Sequence, residues 1–285
     1  MQFPIRQLPI SEFPPLLKEI PDAPSRLFVR GELPSADYTI LCVVGSRATT
    51  PYGRRMCQSL ISGLSRYPVA IISGMALGID TEAHKAALDV GLPTVAVLPS
   101  SCDDKSLYPS SNKVLAQRIL ARGSALLSEN VAPFKAMAHS FAQRNRIMAG
   151  MSKATLIIEA GEKSGTLITA RLALDYNREV LCVPHELGRE SGAGANRLIR
   201  EGATLVRNSD DILQALGLAS SPVQTTFPTD LSESESKILE VLTESLVKDE
   251  IIDRLEFDAQ EVSIALTSLL IRGLINERLG KIERV

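Results

Sequence analysis

Residues 141–184, FAQRNRIMAGMSKATLIIEAGEKSGTLITARLALDYNREVLCVP, read as helix, strand, helix and strand in turn. Arg144, Asn145 and Arg146 open a segment in which Ile147, Met148 and Met151 recur at helical spacing. TLIIE (155–159) is short, β-branched and apolar and stops at the turn-like AGEKSG, the pattern of a parallel strand buried on both faces. Ser164, Gly165 and Thr166 then precede the amphipathic LITARLALDY, and EVLCVP returns as a further strand. Two arginines ahead of one strand and a small-residue turn behind it predict a cationic site at the carboxyl edge of a sheet, where open α/β sheets bind ligands.

The same alternation extends in both directions. From Thr39, TILCVVG, VAIIS, TVAVLP and ALLSE read as strands, separated by the helices PYGRRMCQSLISGLSRY, TEAHKAALDVG and NKVLAQRILARG. Beyond residue 184 follow a Gly-rich loop at 188–194, the helical ANRLIREG, the strand ATLV and the helix SDDILQALGL. Strands alternating with helices of this length predict a mostly parallel sheet over residues 39–217 with helices on both faces. Residues 1–38 are Pro-rich and poorly periodic, so an extended lead-in is expected, anchored to the core by residues such as Leu17, Ile20, Leu27 and Val29. Residues 218–230, LASSPVQTTFPTD, read as a linker. Three helical stretches near 232–243, 247–254 and 259–272, followed by a hairpin in LINERLGKIERV, predict a small winged-helix module over 231–285.

At 285 residues the chain can hold one large core and a small domain. No apolar run is long enough to span a bilayer, and MQFPIRQLPISEFPP lacks the features of a secretion signal, so a cytoplasmic protein without a membrane partner is expected. Cys42, Cys57, Cys102 and Cys182 form no CxxC pair, and His84, His139 and His185 are scattered, which argues against a metal site. Charge is uneven: residues 224–285 carry a net −6 and residues 1–223 a net +4, so a polyanion is expected on the first part.

Four regions carry candidate site motifs. Gly45-Ser46-Arg47 offers a tight turn, backbone N–H groups and a guanidinium fork suited to phosphate. In SGMALGIDT (73–81) Asp80 is expected to cap the next helix, and His84, four residues on, is placed to pair with it. Tyr108, in LYPSSN, either stacks on a base or packs beneath its loop. Phe141, Arg144, Asn145 and Arg146 combine an aromatic ring, two forked cations and an amide within six residues, a mix suited to phosphates and stacked bases. Glu159 is placed to buttress one of these arginines, and an internal Arg–Glu network is an equal alternative for one of the pair. Ser164-Gly165-Thr166 heads a helix, where an anion can be capped, with Lys153 and Lys163 as further contacts. No paired carboxylates, metal cluster or nucleophile with its base stands out, so binding without turnover and without a cofactor is expected.

In order along the chain, Gly45-Ser46-Arg47, SGMALGIDTEAH (73–84), YPSSN (108–112), FAQRNRIMAG (141–150), IIEAGEKSGTLITA (157–170) and LIREGATLV (198–206) resemble the DNA-processing protein A family, also called Smf. The resemblance implies an extended Rossmann-like domain that binds single-stranded DNA, forms a homodimer and helps load the RecA recombinase onto incoming DNA during natural transformation. The site it implies comprises Arg47 of Gly45-Ser46-Arg47 and Phe141, Arg144, Asn145 and Arg146, with the glycine-led loops around them. Ala142 stands where the family usually has proline and His185 where it usually has glycine, and residues 1–38 are too short for the helical, sterile-alpha-motif-like domain many relatives carry. Two rival readings are a nucleotide-processing enzyme resembling the cytokinin-releasing phosphoribohydrolases, with Glu159 near Gly165-Thr166, and an interaction scaffold that does not bind DNA. The first lacks its PGGxGTxxE pattern, since EAGEKSGTLITA stands in that place.

Overall fold

Nine strands among the described residues form the larger sheet: β1 (Ile5–Leu8), β2 (Leu27–Gly31), β3 (Thr39–Val44), β4 (Val69–Ser73), β5 (Thr94–Val97), β6 (Ala125–Ser128), β7 (Ala154–Ile157), β8 (Glu179–Cys182) and β9 (Thr204–Leu205). The structure is a computed structural model that describes residues 3–218, 231–242, 246–255, 257–271, 274–278 and 280–284. It divides into two compact units, one up to residue 219 and one from residue 220. The expected linker falls, from residue 219 to 230, outside the described residues.

Successive side chains leave a strand on opposite faces, and here both faces are buried. Leu41 and Val43 enter one core while Cys42 and Val44 enter the other, and Leu156 and Ile157 divide in the same way. This is why these strands are apolar throughout and do not alternate. One face is covered by α2 (Pro51–Ser62), α3 (Ile79–Asp89) and α8 (Ser209–Ala215), through Leu60, Ile61, Ala83, Ala87 and Ile212. The other is covered by α5 (Ala138–Met151), α6 (Thr166–Asp175) and α7 (Ala193–Arg200), through Ile147, Met148, Ala170, Ala173 and Leu198. α4 (Lys113–Ala121) packs Leu115 and Ile119 with Leu126 of β6 in a third cluster.

The strand order is β1-β2-β6-β5-β4-β3-β7-β8-β9. Strands β3 to β9 run parallel to one another. The chain adds β4, β5 and β6 on one side of β3, then returns to place β7 on the other. Loops leaving β3 and β7 therefore diverge and open a crevice at the carboxyl ends of two adjacent strands.

The amino-terminal segment does more than lead in. β2 pairs antiparallel with β6, Val29 opposite Leu127, and β1 pairs antiparallel with β2. Leu27 and Val29 are buried while Phe28 and Arg30 are partly exposed, an alternation hidden among the prolines. The short α1 (Pro15–Lys18) carries Leu17, which joins Ile20 and the α5 residues Met148 and Met151 in one core.

The second unit contains α9 (Glu233–Val241), β10 (Leu246–Val247), α10 (Lys248–Arg254), α11 (Ala259–Ile271), β11 (Ile275–Arg278) and β12 (Lys281–Arg284). A capping box starts α9: Glu235 N donates to Ser232 Oγ at 3.2 Å and Ser232 N to Glu235 Oε2 at 2.7 Å. β12 pairs antiparallel with both β10 and β11, and Ile238, Ile251, Val262, Leu269 and Ile282 share a core.

One buried group makes the larger unit sensitive to acid. His84 Nδ1 of α3 lies 2.7 Å from Thr94 Oγ1 at the start of β5, so the histidine pairs there and not with Asp80. Burial, with the Arg144 charge nearby, lowers its pKa to about 3. An unfolded histidine titrates near 6.5, so between about pH 6.5 and about pH 3 the unfolded chain binds a proton that the native chain refuses, and stability falls as pH falls. The slope approaches about 1.4 kcal/mol per pH unit for one proton. Denaturant unfolding between pH 6 and 5 should show this loss in the wild type and a flatter dependence in His84→Gln; identical slopes would exclude His84 as its source.

Candidate functional site

The crevice between the β3 and β7 exits is a cleft of about 550 Å³. Its first wall is Gly45-Ser46-Arg47, anchored on both sides: Ser46 N donates to Glu159 O at 2.8 Å, and Ser46 O accepts from Ile79 N at 3.1 Å. Ser46 Oγ accepts from Ala48 N at 3.2 Å, which closes the turn and leaves Arg47 exposed. The second wall is α5, where Phe141, Arg144 and Asn145 fall on one face at i, i+3 and i+4. The third is the start of α6. Ser164 Oγ accepts from Thr166 N at 3.2 Å, and Ser164, Gly165 and Thr166 bring the partial positive charge of the helix terminus to the cleft. Thr169 also lines the cleft; it was missed in the sequence, although it stands one turn after Thr166.

Arg144 forms the floor. It is 6% exposed, and its guanidinium donates to Gly74 O, to Val97 O at 2.8 Å and to Asn145 Oδ1 at 3.1 Å. The carbonyls belong to the exits of β4 and β5, so one side chain ties both strands to α5. A Cβ at Gly74 would coincide with the guanidinium, which is why that position carries no side chain. Burial lowers the Arg144 pKa, and the opposing charge of buried Asp80 partly restores it. Asp80 accepts from Gly74 N at 3.2 Å and Ala76 N at 3.4 Å, so it ties down the loop before α3 and does not cap that helix, whose amino-terminal cap is Gly78 without a side-chain bond. Asn112 of YPSSN donates to Met75 O and Thr81 Oγ1, each at 2.8 Å, and so fixes the same loop from the other side.

Above the floor three exposed or half-buried side chains stack. Arg47 Cζ sits 5.2 Å from the centroid of Phe141, and Tyr108 meets Phe141 edge to face at 5.6 Å. Tyr108 is 45% exposed. A cation and two rings beside a cleft floored by a buried guanidinium and its counter-ion Asp80 can hold a phosphate at Arg47 and offer faces to planar groups.

Other predicted residues lie elsewhere. Arg146 is two positions from Arg144, about 200° around the helix by its 3.6-residue period, and points the opposite way. It makes a two-pronged pair with Glu129 at 2.6 and 2.7 Å and donates to Asp22 O, which is the internal Arg–Glu alternative. Glu159 buttresses neither arginine: its Oε2 accepts from Thr50 N at 3.0 Å and Thr49 Oγ1 at 3.3 Å, at the start of α2. Lys153 precedes β7, at the amino edge of the sheet, and its Nζ donates to Leu216 O at 2.7 Å. Lys163 is exposed in the β7–α6 turn and does not line the cleft. His185 lies outside this cleft, in a neighbouring pocket.

A doubly wound α/β fold with its crevice at the reversal of strand order defines a Rossmann-like binding protein. The chain belongs to the DNA recombination-mediator protein A family, whose model matches residues 8–217. Protein Smf of Escherichia coli is 42% identical over 207 residues, which are 72% of this chain and 55% of that protein. The DNA processing protein DprA of Streptococcus pneumoniae is 38% identical over 197 residues, 69% of this chain and 68% of its own length. The chain thus spans about half the length of the Escherichia coli relative. A crystal structure of Streptococcus pneumoniae DprA matches with a TM-score of 0.69 and 36% identity, covering 74% of each chain. DNA processing protein A from Helicobacter pylori, a structure described for its single-stranded DNA binding mode, matches with a TM-score of 0.66 and 29% identity, covering 76% of this chain and 98% of that one.

The two neighbouring arginines should separate on substitution. Arg144→Ala leaves two carbonyls unpaired and Asp80 uncompensated, and should cost about 3–5 kcal/mol of unfolding free energy. Arg146→Ala loses a partly exposed pair and should cost about 2 kcal/mol. Equilibrium urea unfolding measures both; a larger loss in Arg146→Ala would overturn the assignment of Arg144 to the floor.

Proposed function

We propose that this protein binds single-stranded DNA through the switch-point cleft, without covalent turnover, as a mediator of DNA recombination. The observation that carries the reading is the stack of Arg47, Phe141 and Tyr108 beside a cleft floored by a buried guanidinium and headed by the α6 terminus. Phosphates meet Arg47 and the loop and helix N–H groups, and unpaired bases meet the rings. Single strands suit this site better than duplex because the bases must be exposed to stack. Membership of the recombination-mediator family and the likeness to the Helicobacter pylori protein support the same reading. Among the described residues no helix is long and apolar enough to cross a membrane.

In the cell, the protein protects incoming DNA and helps load the RecA recombinase onto it during natural transformation or recombination. It acts as a homodimer, since two copies side by side lengthen the binding track and add avidity. Leu174 of α6 is 56% exposed, whereas Ile212 and Leu213 of α8 are buried, which favours α6 over α8 as part of the contact. The nucleotide-processing alternative gains no support from Glu159, whose carboxylate is fully buried at the α2 terminus.

Fluorescence anisotropy with single-stranded and duplex oligonucleotides tests the site. Single strands should bind more tightly, with little sequence dependence and with affinity falling as salt rises. Phe141→Ala should cost about 1–3 kcal/mol of binding, Arg47→Ala should weaken binding to all sequences and flatten the salt dependence, and Arg146→Ala should bind as the wild type does. Equal affinity for both DNA forms, or wild-type affinity in Arg47→Ala, would refute the placement.

A further inference from the structure

A second pocket of about 440 Å³ opens on the far side of the Arg47–Thr50 loop, lined by Thr50, Tyr52, His185, Glu186, Arg189 and Ser191. Its floor is a preset pair of rings. Tyr52 and His185 meet edge to face at 5.2 Å with their planes at 74°. Each is fixed by its polar end: Tyr52 Oη donates to Pro184 O at 2.9 Å, and His185 Nε2 lies 2.9 Å from Ile158 O. A carbonyl oxygen only accepts, so Nε2 carries the proton. The His185 backbone is clasped on both sides by one amide, with His185 N donating to Asn196 Oδ1 at 3.0 Å and Asn196 Nδ2 donating to His185 O at 2.9 Å. Gly192 lies so close that a Cβ there would run into the imidazole. The rings are held for contact, and none of these bonds closes the pocket.

The surroundings indicate what the pocket takes. It falls within the size range of small-ligand pockets and suits one planar heterocycle. Its rim carries a carboxylate, a hydroxyl and a guanidinium, partners for the polar edge of a base. Arg189 is paired with Glu186 at 2.9 Å, but both side chains are about 70% exposed, and an exposed pair of this kind exchanges readily for another anion. Continuity points the same way: Ala48 lines the switch-point cleft and Thr50 lines this pocket, two residues apart and so no more than about 7 Å along the backbone.

We propose that this pocket is a second subsite for the bound strand, in which one unpaired base stacks on the Tyr52–His185 pair while its phosphate lies near Arg189. The inference rests on single-stranded DNA binding at the cleft and adds a direction to it: the strand leaves over Ala48–Thr50 towards the end of β8. His185 fixes the stacking face through the imidazole, and glycine at this position would remove it.

Oligothymidylates of increasing length, each with a single 2-aminopurine at a different position, test this with the full chain. In the wild type, one position beyond the stretch held by the cleft should show a distinct change in emission on binding, and affinity should step up when the oligonucleotide becomes long enough to include it. His185→Ala and Tyr52→Leu should each remove that step, lowering affinity for the longer oligonucleotides by about 5- to 100-fold. The scan on wild-type protein does not depend on either variant folding. If Arg47→Ala weakens binding but no position responds and His185→Ala keeps the step, the subsite is refuted and the cleft stands. If the wild type binds no single strand, both fall. If AMP abolishes the emission change without displacing the oligonucleotide, the pocket belongs to a free nucleotide and the strand subsite is refuted.

Discussion

A guanidinium removed from water must be surrounded by acceptors, and meeting that demand for Arg144 arranges much of the site. Its Nη1 donates to carbonyls at the ends of β4 and β5 and its Nε to the neighbouring Asn145, so the strand exits and α5 are held at fixed spacing. Asp80 supplies the counter-charge and at the same time accepts from backbone amides of the loop that contributes one of the carbonyls. The absence of a side chain at Gly74 follows from the same packing. The buried Arg144–Asp80 charge pair beneath the cleft is thus inseparable from the fold, whereas the exposed Arg47 adds positive charge that the fold does not need.

The parallel core was legible because burial on both faces leaves a plain mark: TILCVV and TLII are apolar without interruption, and Gly or small-residue turns end them. The loops that make the cleft were legible for the same reason, since strand exits can be counted along the chain. Three features were not. β2 is an antiparallel strand whose short alternation, Leu27 to Gly31, sits among prolines, and its partner β6 is remote in sequence. Arg144 and Arg146 look alike in sequence, yet the helical period sends one to the floor and the other to Glu129. Lys153 is only one residue ahead of β7, but that places it at the amino edge, a strand length from the site.

Glu159 shows how a residue at a suggestive position can be claimed by a local demand. It follows β7, close to the crevice, but the first turn of α2 presents unpaired backbone donors, and its carboxylate accepts from Thr50 N. A buried acid at a helix amino terminus is favoured there by the helix dipole as well. The outcome joins the two loops that diverge from β3 and β7, because the same residue accepts from Ser46 N through its carbonyl.

Strand order also sets the sequence in which the sheet can be assembled. β3 needs β7, more than a hundred residues later, to bury its second edge, and β2 has no partner in the core until β6 has been made. On a growing chain, β2 must therefore wait with its apolar residues uncovered, and the crevice cannot exist before residues near 157 have emerged. Pairings this distant in sequence are slow to form and leave strand edges exposed while they do. The topology that creates a binding site at the reversal of the sheet thus also delays that site until the chain has come back across β3.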